Sequence, residues 1–313
     1  MKIVFLDAKT IGDDIDLSGF DALGEVVKYG FSTTAEARER TQDADVIILN
    51  KVEINEQSIG KAGKLKLVCV TATGTNNLDK EYLDKRGIAW RNVAGYSTES
   101  VAQHTFAMLF YLLEKLRYYD DYVKSEKYVN DVTFTHFAKA FHELNKMTWG
   151  IIGMGNIGQR VAGIARLFGC NVIYYSTSGR NNQTEYERVS FKELLGRSDI
   201  VSVHAPLNEN TMELMNEQAF ADMKKSAIFL NLGRGPIVAE QALARALEQG
   251  EIAAAGLDVL SAEPMREDSP LRTIKDSEKL LVTPHIAWAS VEARNRLMET
   301  ILNQVKDFFG IGS

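Results

Sequence analysis

The stretch Trp149-Gly-Ile-Ile-Gly-Met-Gly-Asn-Ile-Gly158 decides how the rest of the chain is read. Trp149 to Ile152 is a short apolar run, the pattern of a buried strand. Gly153-x-Gly155-x-x-Gly158 follows, and Ile157, Val161, Ile164, Ala165 and Phe168 then recur at helical spacing. The order is strand, glycine turn, helix. The first glycine permits the tight turn, the second lets backbone approach a pyrophosphate, and the third lets helix pack on strand. The helix N-terminus adds free N–H groups and a partial positive charge. Gly153, Met154, Gly155, Asn156, Ile157 and Gly158 are therefore the expected phosphate cradle of a dinucleotide.

A second strand, Asn171-Val-Ile-Tyr-Tyr175, follows the helix. An acid about 20 residues past the glycines would hold a ribose 2′-hydroxyl and favour NAD(H). The chain instead has Ser176-Thr-Ser-Gly-Arg180, and its first acid after the strand is Glu185. Hydroxyls at Ser176 and Thr177 and a guanidinium at Arg180 suit a 2′-phosphate. The reading points to NADP(H) over NAD(H). The alternative is a polar, solvated turn that accepts NAD(H).

The chain has 313 residues, enough for about two domains, with 45% hydrophobic and 25% charged residues, as in ordinary soluble proteins. A net charge of −6 argues against nucleic acid as the main partner. Cys69 and Cys170 lie in apolar runs beside strands and read as buried free thiols, which fits a cytoplasmic location. No Cys/His spacing suggests a metal. The apolar segments read as neither signal peptide nor membrane span.

Before the glycine unit, strands are expected at Lys2–Asp7, Asp45–Leu49, Leu67–Thr71 and Ile88–Arg91, with helical stretches between them. Alternation of this kind implies a parallel, doubly wound sheet. Ser97 to about Ser125 reads as one long helix with a broad apolar face, packed between domains or subunits. Residues 126–147 are irregular and carry Tyr128, Phe134, Phe137 and Phe141; exposed aromatics there would suggest a dimer contact. After the glycine unit, strands are expected at Ile200–His204, Ala227–Asn231, Ala253–Asp258 and Leu280–Thr283, then a closing helix at Glu292–Phe309.

Three residues stand at strand ends of this second unit. Arg234 lies between two glycines, Glu263 precedes Pro264, and His285 follows Pro284. Carboxyl ends of parallel strands converge on the ligand crevice. An Arg there can bind a carboxylate bidentately and polarise a neighbouring carbonyl. A His can exchange the proton of a hydroxyl or ketone. A Glu can hold the other imidazole nitrogen and keep the ring protonated near neutral pH. With a nicotinamide alongside, the set suits reversible reduction of a 2-keto acid. Each residue alone also has a plain structural reading: a surface turn Arg, a solvated carboxylate, a core His. His204 ends a strand and is expected to line the cofactor. His104, on the long helix, reads as core or interface.

Taken with Gly153-Met-Gly-Asn-Ile-Gly158, the motifs His204-Ala-Pro206, Asn231-Leu-Gly-Arg-Gly235, Gly256-Leu-Asp-Val259 with Glu263-Pro264, and Thr283-Pro-His285 resemble the D-2-hydroxyacid dehydrogenases. The resemblance runs nearly end to end. It implies two doubly wound α/β domains: a flavodoxin-like substrate domain of residues 1–98 plus 287–313, and an inserted Rossmann domain of residues 99–286. It implies Arg234, Glu263 and His285 in the roles above. His204, Ala205, Pro206, Leu232, Gly233, Asp258 and Val101 would line the cofactor, with Asp258 near the nicotinamide. The backbone of Thr73 and Gly74 would bind the substrate carboxylate, and Trp288 would lie near the substrate. A homodimer through the inserted domain is implied as well, and a crevice between two domains suggests hinge closure to exclude water. Gly95-Tyr-Ser-Thr98, Val101-Ala-Gln-His104 and His285-Ile-Ala-Trp-Ala-Ser290 are similar to the glycerate dehydrogenase/hydroxypyruvate reductase branch, which reduces hydroxypyruvate and often glyoxylate. Ser176 departs from the Asp usual in NAD-preferring members. A D-lactate or bulkier 2-keto acid reductase is the near alternative, and a non-catalytic NAD(H)-sensing protein the distant one.

Overall fold

A computed structural model describes residues 1–182 and 185–312; Gln183, Thr184 and Ser313 lie outside the described residues. In chain order the regular elements are β1 (Lys2–Phe5), β2 (Glu25–Lys28), α1 (Thr34–Arg40), β3 (Val46–Leu49), α2 (Glu56–Ile59), β4 (Leu67–Val70), α3 (Lys80–Lys85), β5 (Ala89–Arg91), α4 (Thr98–Leu113) and α5 (Leu116–Lys124). Then come β6 (Thr148–Ile152), α6 (Asn156–Leu167), β7 (Asn171–Tyr175), β8 (Glu187–Arg188), α7 (Phe191–Arg197), β9 (Ile200–Val203) and α8 (Glu217–Ala221). The last are β10 (Ile228–Asn231), α9 (Glu240–Gln249), β11 (Ala254–Leu257), β12 (Leu280–Val282) and α10 (Val291–Phe309). The chain divides into two compact units, Met1–Ser97 with Ala289–Ser313, and Thr98–Trp288.

The first unit holds a parallel five-stranded sheet in the order β2-β1-β3-β4-β5. All four residues of β3 (VIIL) and of β4 (LVCV) are buried, as expected where helices cover both faces of a parallel sheet. Helices start where side chains satisfy the first free amides: Thr33 and Glu36 form a reciprocal cap on α1, and Asn55 and Ser58 do so on α2. The buried Asp7 carboxylate accepts N–H groups from Asn50 (2.8 Å), Lys51 (2.7 Å) and Val52 (3.3 Å), fixing the loop after β3.

The second unit holds a parallel seven-stranded sheet in the order β12-β11-β10-β9-β6-β7-β8. The chain runs outward from β6 to β7, then returns to the other side of β6 at β9, which makes the carboxyl ends of β6 and β9 the switch point where such folds bind ligands. One core lies on each side of this sheet. On one, Trp149 and Tyr174 pack with Val101, Met108, Leu109 and Leu112 of α4; on the other, Phe220 and Phe229 pack with Leu243 and Leu247 of α9.

The long helix expected from Ser97 to Ser125 is two. It stops after Leu113, Lys115 takes a left-handed conformation (φ 55°), and α5 restarts at Leu116. The apolar face of α4 is covered by its own unit's sheet, whereas α5 has no buried residue. Beyond Leu116 the periodic apolar positions give way to Arg117–Asp121 and Asp120–Lys124 pairs at helical spacing, so no packing holds the two halves in one line. Strand β8, two charged residues paired with β7, had no hydrophobic signal to mark it.

Two helix glycines predict opposite outcomes. A methyl group on Gly158 would lie 2.2 Å from the Gly153 carbonyl oxygen, whereas one on Gly163 would meet nothing within 4 Å. Gly158→Ala is expected to destabilise by about 1–3 kcal/mol, and Gly163→Ala to stabilise by up to about 1 kcal/mol. Thermal unfolding of both variants checks this; a rise in Tm for Gly158→Ala would contradict the packing.

Candidate active site

The glycine turn after β6 is closed by contact with β9. Gly153 has φ 95°, and a side chain there would lie 2.7 Å from the Ala205 backbone. Gly155 caps α6 without any side-chain hydrogen bond and borders open space within 4 Å. The first-turn amides of α6 are thus left without a side-chain cap beside room that only a glycine leaves, which fits a pyrophosphate. Asn156 is exposed and Ile157 half-buried at the start of the helix.

The end of β7 carries the predicted adenosine-side residues. Ser176 is buried, its carbonyl accepts from Gly179 N (3.2 Å), and its hydroxyl from Asn181 N (3.4 Å). Asn181 donates its side-chain amide to the Met154 carbonyl, tying this turn to the glycine turn. Arg188 on β8 holds the turn through Gly179 O (3.2 Å) and Asn182 Oδ1 (2.8 Å). The Arg180 guanidinium is exposed and has no hydrogen-bond partner among the described residues. The sequence reading named Thr177 and Arg180 but missed Asn181 and Arg188, which act by fastening loops.

His204 follows β9. The Trp149 indole N–H donates to Ser202 Oγ (2.9 Å), and His204 Nε2 lies 3.1 Å from the same oxygen. With the indole only a donor, the Ser202 proton is best placed on His204 Nε2, which puts the ring's own proton on Nδ1. Nδ1 is buried and has no partner among the described residues. Burial pushes the imidazole down to about 3, so the ring is neutral at neutral pH. A neutral ring with an unspent buried N–H fits an oxygen of a bound cofactor and does not fit an acid catalyst.

The three predicted catalytic residues are linked in a row. At the end of β10, Asn231 Oδ1 accepts from Gly233 N (3.0 Å), and Asn231 Nδ2 donates to the Arg234 carbonyl (3.0 Å). A methyl group on Gly235 would lie 1.8 Å from Leu260 O, so the Arg234 turn rests directly on the backbone after β11. There Leu260 N donates to Glu263 Oε1 (3.0 Å), and Glu263 Oε2 lies 2.7 Å from His285 Nδ1. Glu240 at the start of α9 braces the same loop through Ser261 N (2.7 Å) and the Ser269 hydroxyl (3.1 Å). Nδ1 of His285 is occupied, which leaves Nε2 for a substrate. Arg234 makes one side-chain bond, from Nη1 to the Gly233 carbonyl (2.8 Å), and the rest of its fork has no partner among the described residues.

Asp258 and Val101 are both buried. Asp258 is 2% exposed, and its carboxylate accepts from Thr283 Oγ1 (2.6 Å), Ile286 N (2.9 Å) and Ala287 N (2.9 Å). It is turned into the protein, under the His285 turn. Val101 is buried in the core of the second unit, as is Leu232, and Trp288 packs against that core. Gly233 is buried against Ala205 O, while Pro206 is exposed. Thr73 and Gly74 follow β4 in the first unit; Thr73 Oγ1 donates to Val93 O (3.0 Å), and Asn92 Nδ2 to Thr73 O (2.7 Å).

Residues 106–287 match the family model for the NAD-binding domain of D-isomer specific 2-hydroxyacid dehydrogenases. The chain is similar to a hydroxypyruvate reductase of Blautia hydrogenotrophica, with 36% identity over 98% of this chain and 97% of the other. Among solved structures it is similar to an acyclic imino acid reductase in complex with NADPH and D-Arg (29% identity, TM-score 0.86, 99% of this chain and 97% of the other). It is also similar to the D-lactate dehydrogenase of Aquifex aeolicus complexed with NAD and lactic acid (28% identity, TM-score 0.84, 98% and 95%).

The His204 environment predicts a pH response. With a folded-state value of about 3 against 6.5 when unfolded, the neutral ring contributes stability that is present above pH 6.5 and lost as pH falls toward 3. NMR shifts of the His204 ring are expected to stay those of neutral imidazole from pH 8 to pH 5, and an imidazolium signature above pH 5 would contradict the burial argument.

Proposed function

The chain belongs to the D-isomer specific 2-hydroxyacid dehydrogenase family, and from that premise we propose that it reduces hydroxypyruvate and glyoxylate to D-glycerate and glycolate with NADPH as the preferred donor. The observation that carries the chemistry is the Glu263–His285 bond at 2.7 Å, set one backbone contact away from the turn that presents Arg234. Sequence similarity over nearly the whole length to a hydroxypyruvate reductase supports the substrate.

The bound nicotinamide supplies hydride to the carbonyl carbon. Arg234 grips the substrate carboxylate with its free N–H groups and lies where it can polarise the adjacent carbonyl. Glu263 fixes the His285 ring through Nδ1, and Nε2 delivers the proton that turns the carbonyl oxygen into a hydroxyl. In the reverse direction Nε2 takes that proton back. Resemblance to the family supports a place for Trp288 beside the substrate. Gly153 to Gly158 would hold the pyrophosphate, and His204 Nδ1 would donate to an oxygen of the cofactor.

NADPH is preferred because the end of β7 carries hydroxyls at Ser176 and Thr177, no acid, and an exposed Arg180 guanidinium with no hydrogen-bond partner among the described residues. A dimer is assigned to the arm after α5, where Phe134 and Phe137 are 88% and 86% exposed on the single chain; a mass near 35 kDa by light scattering would remove it. The buried free thiols of Cys69 and Cys170 support a reducing compartment, the cytoplasm. Among the described residues no helix is long and apolar enough to cross a membrane.

Initial rates with hydroxypyruvate, glyoxylate, pyruvate and phenylpyruvate, each with NADPH and NADH, test the assignment. Hydroxypyruvate with NADPH is expected to give the highest kcat/KM. Ser176→Asp is expected to shift the NADPH-to-NADH ratio of kcat/KM toward NADH by tenfold or more, about 1.4 kcal/mol. A ratio that does not move would leave the β7 turn without a role in cofactor choice.

A further inference from the structure

The residues that hold the His285 backbone are distinct from Glu263, which holds its ring. His285 adopts φ 56°, a left-handed conformation rare for residues with a side chain. Its own N–H donates to the carbonyls of Asp258 (2.8 Å) and Thr283 (2.9 Å), and the next two amides, Ile286 and Ala287, donate to the Asp258 carboxylate. That carboxylate is therefore the clamp on the turn. It also accepts from the Thr283 hydroxyl at 2.6 Å.

The Thr283 hydroxyl has one proton, and it goes to Asp258, which as a carboxylate only accepts. Towards His104 Nε2, 3.1 Å away, the same oxygen can then act only as an acceptor. Nε2 of His104 must carry a proton, and it lies 3.7 Å from Asp258 Oδ1. His104 is mounted on α4 between Val101 and Thr105, both buried in the second unit. The donor is thus anchored to a packed helix rather than to a loop.

We propose that His104 is a positioning residue of the reductase: its Nε2–H completes a one-way chain from His104 through Thr283 to Asp258, which orients the carboxylate that clamps the His285 turn. The inference rests on the reading of His285 as the proton donor. It gives a role to a histidine that the chemistry of Arg234, Glu263 and His285 leaves unused.

Three variants test it. His104→Leu removes the donor, His104→Gln keeps an N–H of similar reach, and Thr283→Val removes the hydroxyl at constant shape. The first readout is amide exchange of the 285–287 segment by mass spectrometry on the protein alone, which decides the matter whichever keto acid is turned over. His104→Leu and Thr283→Val are each expected to speed that exchange by about tenfold or more, with exchange in β6 and β10 unchanged. With hydroxypyruvate, kcat is expected to fall by about tenfold or more while KM and the NADPH Kd stay within about threefold, and the double variant should be no worse than the worse single one. His104→Gln should restore both readouts to near wild type. Unchanged exchange in His104→Leu, or failure of the Gln variant to restore it, would overturn the proposal.

Discussion

Every strand pairing in the second unit is parallel, and that one constraint brings the functional residues together. A parallel sheet ends all its strands on one edge, so loops far apart in sequence become neighbours. Ser176, His204, Arg234, Asp258 and His285 each lie within three residues of the end of a different strand. The helices between the strands cover the two faces and bury the backbone that fixes those ends. The chemistry is placed by the sheet, and the loops supply only the last few ångströms.

Those last ångströms are set by backbone approaching backbone. Gly153 meets Ala205, Gly233 meets the Ala205 carbonyl, and Gly235 meets Leu260, each closer than a Cβ atom would allow. The contacts join the β6, β9, β10 and β11 ends into one edge. His285 is the exception, a side chain where a glycine would be at ease, and its left-handed backbone costs about 1–3 kcal/mol. The Asp258 clamp, with its amide and hydroxyl donors, offsets that cost. The strained turn is the one that carries the proposed proton donor, which is where such strain tends to be found in enzymes.

The parts of this arrangement legible in the sequence were those carried by apolar runs and glycines. Most strands of both sheets announced themselves as short apolar stretches, β8 excepted, and the glycine turn marked where helix packs on strand, with the close contact at Gly158 and open space at Gly155. Arg234, Glu263 and His285 were visible because each followed a strand. What stayed hidden was long-range hydrogen bonding. Nothing local marks Asn181 as the partner of Met154, or Glu240 as the brace of Ser261. Nor does anything local show that the oxygens of Asp258 accept from Thr283, Ile286 and Ala287, residues 25 to 29 positions away. The break at Lys115 was missed because no glycine or proline marks it; the helix ends there for lack of packing beyond Leu113.

The central claim is that His285, held by Glu263, moves the proton while other residues hold the cofactor. The most direct test is His285→Ala, assayed for hydroxypyruvate turnover and, separately, for NADPH binding by fluorescence. The account predicts that kcat falls by about 100-fold or more while the NADPH Kd changes by less than about threefold. Turnover near the wild-type rate would contradict it, because the proton would then have to come from another group.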